Sequence, residues 1–186
     1  MQVMFAKDTK WASSAVGEIL EAVREVCRHS PSQTVFTRFL TPRNLRDAGG
    51  QWRRFYQESL SMLAETLPPK SFDLVPELQE FVSSAHVADR YVFNAFGSPK
   101  LNPLLASLKS DTLIISGVEA DVCVLATALS AIDFGYRLIF LSDAIASSIK
   151  TGRQCVLEGI LPRFEQQVEV VQTETVLRSW RPLGRS

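Results

Sequence analysis

"IISGVEADVCVLATALSAIDFG", Ile114 to Gly135, decides the fold. Its β-branched apolar run breaks at Gly117, and the residues beyond Glu119 are apolar at helical spacing until Gly135 closes them. That is a buried strand passing through a turn into a helix. Toward the carboxyl end, "RLIFLSDA" (Arg137 to Ala144) is a strand, Thr151 to Leu161 a helix, and "VEVVQT" (Val168 to Thr173) a closing strand. Toward the amino end, "NPLLASL" (Asn102 to Leu108) is a short helix with Pro103 in its first turn, and "RYVFN" (Arg90 to Asn94) is a strand. "TVFTRF" (Thr34 to Phe39) is another strand, preceded by a helix whose stripe is Ile19, Leu20, Val23, Val26 and Cys27. Strands that alternate with helices and are nearly all apolar predict an α/β domain with a doubly wound parallel sheet. Thr41 to Pro69 is the least regular part, with Gly49, Gly50, Trp52, Phe55 and Tyr56; it reads as a long loop crossed by a helix. A lid, a subunit contact and a plain surface excursion all fit that segment.

Composition narrows the function. At 186 residues and 46% hydrophobic content, the chain suits one domain, residues 1–186. Twenty basic residues balance twenty acidic ones, so nothing points to nucleic acid or an anionic membrane as partner. A small-molecule substrate is expected instead. Cys27, Cys123 and Cys155 are an odd number without a CxxC pair, which argues against a disulfide framework or structural zinc and for a reducing, cytoplasmic setting. "MQVMFAKDTK" has no leader pattern, and no stretch reaches membrane-span length.

Ligands of open parallel sheets bind beyond the carboxyl ends of the strands. Cys123 falls there, in the first turn of the helix that follows Glu119, Ala120 and Asp121. Free N–H groups and the helix dipole at such a place favour a thiolate and can hold an oxyanion. A buried, unreactive thiol is the competing reading at this point.

"SGVEADVCVLATALSAIDFGYRLIFLSDA" resembles the signature of the isochorismatase-like cysteine hydrolases, a family that includes nicotinamidases, N-carbamoyl-amide hydrolases and isochorismatases. The resemblance rests on the Gly117-Val118 turn, Cys123-Val124, Thr127-Ala128, Gly135-Tyr136 and Asp143-Ala144. It implies a three-layer α/β/α fold around a six-stranded parallel sheet, and an aspartate, lysine and cysteine triad. Cys123 matches the nucleophile, the amides of Glu119 and Cys123 match the oxyanion hole, and Val118–Glu119 matches a peptide bond that is often cis. Counting six residues back from Phe96 in "DRYVFNAF" places Arg90 where the family has its lysine. Arginine keeps the charge but not the ability to give up a proton. Lys100 is the alternative source of charge. Phe93 and Phe96 are expected to wall the substrate pocket, while Phe36 reads as core.

The aspartate is the sharper departure. Met1-Gln2 with Phe5 matches the end of the family's Asp-x-Gln motif, so the carboxylate and the central strand that carries it have no counterpart here, and Asp8 falls in the loop beyond. The reading therefore expects a chain truncated at its amino end, with an apolar run ending in aspartate encoded upstream. "TRFLTP" lacks the carboxylate and imidazoles of metal-holding relatives, so no metal and no cofactor are expected. His29 and His86 read as surface or loop residues, Cys155 as a packing residue, and Asp143 as a cap for the turn after it. The resemblance implies a hydrolase of small amide or carbamoyl substrates, acting through a covalent intermediate and assembled as a dimer or tetramer. A non-catalytic scaffold or subunit-interface relative is the alternative.

Overall fold

Five strands carry the molecule: β1 (Val35–Phe39), β2 (His86–Arg90), β3 (Thr112–Gly117), β4 (Arg137–Ile145) and β5 (Val168–Val171). The structure is a computed structural model that describes residues 1–181. Each pairing is parallel, β1 with β2, β3 with β4 and β4 with β5. Among the described residues the strands form two sheets, β1-β2 and β3-β4-β5. The α/β class and parallel pairing agree with the sequence, whereas the sheet is in two parts.

β4 shows why helices cover both faces. Leu138 and Phe140 pack with Ala128, Ile132 and Val156 on one side. Ile139 and Leu141, one residue out of phase, meet the helix Ala15–His29 and Val176 on the other. This is the period-two alternation of a strand buried on two faces. Leu138, Phe140 and Leu141 are fully buried, each contributing about 1.5–3 kcal/mol through loss of apolar surface to water. The helix Ala15–His29 buries Ala15, Val16, Ile19, Val23 and Cys27 along a single stripe. The helix Leu125–Asp133 ends where Gly135 takes a φ of 84°. There Gly135 N–H donates to Ile132 C=O at 2.9 Å and Tyr136 N–H to Ala131 C=O at 3.0 Å, a glycine-dependent stop.

Several local expectations are corrected. The second strand is His86–Arg90 and not Arg90–Asn94. Arg38 and Asp89, register partners across β1 and β2, form a two-pronged ion pair at 2.7 and 2.9 Å, so polar residues occupy the ladder. "YVF" leaves it: Tyr91 is exposed, and Asn94 accepts from Phe96 N–H to start the turn Ala95–Gly97. Cys155 is exposed, because its helical segment turns Val156 and Leu161 to the core instead. Asp143 caps not the turn after it but the helix Thr173–Ser179, accepting from the N–H and hydroxyl of Thr173, each at 2.9 Å. His86 opens β2, and His29 lies half-buried against Trp180. Within Thr41 to Pro69 the helix Trp52–Gln57 turns Tyr56 inward and leaves Phe55 partly exposed. No helix among the described residues is long and apolar enough to cross a membrane.

Candidate active site

The turn after β3 is fixed from several directions. Gly117 adopts a φ of 124°, the Val118–Glu119 bond is cis, and a wide helical turn, Ala120–Val124, leads into Leu125–Asp133. Ala146 N–H donates to Gly117 C=O at 3.2 Å and Ala120 N–H to Ala146 C=O at 2.9 Å, which joins the turn to the end of β4. The Glu119 carboxylate accepts from the Ser147 hydroxyl at 3.1 Å and from Ser148 N–H. Thr127 donates its hydroxyl to Cys123 C=O at 2.7 Å and accepts from Ala95 N–H at 2.9 Å. One side chain thus locks the cysteine's turn to the segment that holds Phe96.

Arg90 ends β2 and reaches the same place. It is 6% exposed, donates to Val92 C=O at 2.5 Å, and its guanidinium carbon lies 5.3 Å from the centroid of the Phe39 ring. Its Nε is buried without a hydrogen-bond partner, and no carboxylate among the described residues pairs with it. Burial pushes the Cys123 thiol above its ordinary pKa. The Arg90 guanidinium opposes this by charge and hydrogen bonding, and the backbone amide of Glu119 opposes it by hydrogen bonding toward the sulfur; the Glu119 charge adds to the rise. Helix position alone predicts a lowered thiol, and desolvation outweighs it.

A cavity of about 720 Å³ runs between β1 and β3 and includes Arg90, Phe96 and Cys123 in its wall. Cys123, Arg90, Glu119 and Phe96 are therefore gathered at one end of the sheets. Phe93 joins an aromatic group instead, 4.9 Å from Trp52 and 6.1 Å from Phe39 between ring centroids. Lys100 is exposed at the start of the helix Leu101–Ser107 and does not line the cavity. Phe36 is buried against the helix Ala15–His29, as core.

Two contributors escaped the sequence. Thr127 carries no signal of its role beyond its place in the motif. Gln2 is 2% exposed, and its Oε1 accepts from Phe39 N–H at 2.7 Å while its Nε2 donates to the carbonyls of Phe39 and Phe72 at 2.9 and 3.1 Å. A lone amide among Met1, Val3 and Met4 was the available hint. Among the described residues, no group of three or more His, Cys, Asp or Glu side chains is placed to hold a metal.

Known proteins agree with this architecture. The isochorismatase domain model matches residues 1–174. A cysteine hydrolase from Pseudomonas syringae pv. phaseolicola superposes with a TM-score of 0.80 at 20% identity, covering 96% of this chain and 87% of that one. The N-carbamoylsarcosine amidase of Thermoplasma acidophilum superposes with a TM-score of 0.73 at 20% identity, covering 94% and 92%. In sequence, the secreted isochorismatase effector Isc1 of Phytophthora sojae is 41% identical over 49 residues, which are 26% of this chain and 23% of the effector. The structural likenesses speak for the fold, and the domain match over most of the length gives the family. The chain belongs to the isochorismatase family of hydrolases.

Proposed function

We propose that this protein is a cofactor-free cysteine hydrolase that cleaves a small amide or carbamoyl group through Cys123. The observation that carries the reading is that Cys123, in the turn after β3, and the nearly buried Arg90, at the end of β2, share the wall of one cavity. The thiol gives its proton to water as it ionises, and the thiolate attacks the carbonyl carbon. The amides of Glu119 and Cys123 hold the resulting oxyanion. The C–N bond then breaks, the amine departs with a proton, and water releases the acyl group to restore the thiol. Arg90 stabilises the ionised sulfur throughout, and Phe96 supplies an apolar wall for the substrate.

Free cysteines favour work in the cytosol, and exposed apolar side chains such as Phe134 and Ile149 favour a homo-oligomer, a dimer or tetramer. Ammonia release from a panel of small primary amides and N-carbamoyl amines, followed between pH 7 and 10, tests the catalytic reading. Release that rises with pH as the thiol ionises, and vanishes in Cys123→Ser, supports it. Release that survives Cys123→Ser, or none across the panel, refutes it.

A further inference from the structure

Phe96 owes its place in the cavity wall to the turn that carries it, Ala95–Gly97, and that turn is seated by two polar bonds on the helix that follows Cys123. Ala95 N–H donates to the Thr127 hydroxyl at 2.9 Å, and Asn94 Nδ2 donates to the Ser130 hydroxyl at 2.6 Å. Thr127 and Ser130 stand three residues apart in the helix Leu125–Asp133, so they share one face of it. Phe134, four residues further on, continues that face. Its ring lies 4.9 Å from that of Phe96 between centroids, and the Tyr136 ring lies 6.1 Å from it.

Asn94 does two things with one side chain. Its Oδ1 accepts from Phe96 N–H at 2.9 Å, which shapes the turn, while its Nδ2 makes the bond to Ser130, which anchors the turn to the helix. The backbone is closed from the other side as well, since a β-carbon on Gly97 would stand 2.2 Å from Val92 Cγ2. Thr127 serves both partners: besides holding Ala95 it donates to Cys123 C=O at 2.7 Å. The Asn94–Ser130 bond holds the Phe96 turn alone. Loss of that bond therefore shifts the wall relative to the sulfur and leaves the sulfur's own turn in place.

We propose that Asn94 and Ser130 are positioning residues that set the Phe96 ring relative to Cys123 and so decide which apolar side groups reach the sulfur. They act through Phe96 and touch no substrate themselves. An amide suits the task because it donates in one direction and accepts in the other. Asn94→Asp keeps both contacts, since a carboxylate accepts from Phe96 N–H and from the Ser130 hydroxyl, whereas Asn94→Ala keeps neither. The inference rests on the reading above that Cys123 and Phe96 line one substrate site, and not on the cleavage of any bond, so its test reads the thiol directly.

The test labels the full chain with N-methylmaleimide or N-phenylmaleimide and follows each adduct on the Cys123 peptide by mass, with rates taken relative to those of glutathione. The two reagents add to a thiolate in the same way and differ in the group that Phe96 meets. Preference for the phenyl reagent should fall about fivefold in Asn94→Ala, in Ser130→Ala and in the reference Phe96→Ala, the weight of one aromatic contact. The N-methylmaleimide rates of Asn94→Ala and Ser130→Ala should stay within about twofold of native, because the sulfur's turn is held separately by Thr127. Asn94→Asp should restore the native preference. An unchanged preference in either Asn94→Ala or Ser130→Ala overturns the proposal. So does an equal fall of both rates, which a general loosening of the Cys123 turn would give, and so does a fall in Asn94→Asp as large as that in Asn94→Ala. No labelling of Cys123 by either reagent also overturns it, because the ring would then guard no path to the sulfur. A chain that shows the expected preferences and cleaves no amide supports this inference and counts against the hydrolase reading.

Discussion

Arg90 and Cys123 come from different sheets and meet at the carboxyl ends of both, the guanidinium that closes β2 lying beside the sulfur that follows β3. The cation offsets part of what burial does to the thiol, so its removal should raise the Cys123 pKa further. In a Cys155→Ser background, which removes the exposed thiol, Arg90→Met should slow alkylation of Cys123 by iodoacetamide at pH 8.5. One pKa unit corresponds to about a tenfold loss of thiolate. Arg90→Lys should recover part of the rate. An unchanged rate in Arg90→Met would mean that the two groups do not interact.

Gln2 holds the free edge of β1 at Phe39. Gln2→Ala leaves a buried N–H and two buried carbonyls short of a partner, and the loss should be about 1–3 kcal/mol. Urea unfolding measures it. A change below about 0.5 kcal/mol would show that water replaces the amide at no cost.

Cys27 gives the fold a pH dependence. Burial pushes its thiol from 9.0 up to about 11. Because the folded pKa is the higher one, the unfolded chain ionises first and the folded chain retains its proton. The neutral thiol's contribution is complete below pH 9 and fades as the pH rises toward 11. Comparison of urea midpoints at pH 8 and pH 10 should show the native chain losing about 1 kcal/mol more than Cys27→Val. Equal losses would mean that Cys27 ionises alike in both states.

The sequence made the carboxyl-terminal half readable because its signals are backbone and packing signals. Ile114 to Gly135 combines a buried strand, a turn and a glycine stop, and all three appear in the structure at those residues. β2 was harder, since Arg38 and Asp89 satisfy each other across the ladder and so conceal a strand behind polar residues, while the apolar "YVF" next to it belongs to a turn. Proximity between Arg90 and Cys123 came from a family motif and not from local pattern, because the two lie far apart in the chain. The direction of the thiol's shift could not be read at all: it depends on how much protein surrounds the sulfur, and helix position gives the opposite sign. The division of the strands into two sheets among the described residues is likewise a property of strand order, which single-strand patterns do not encode.

The most direct measurement is the mass of the Cys123 peptide after acid quench of the chain during turnover of an active amide. The account predicts an added acyl mass on Cys123, absent in the unreacted protein and in Cys123→Ser. Turnover with Cys123 unmodified at every quench time, or with the acyl mass on another residue, would contradict it.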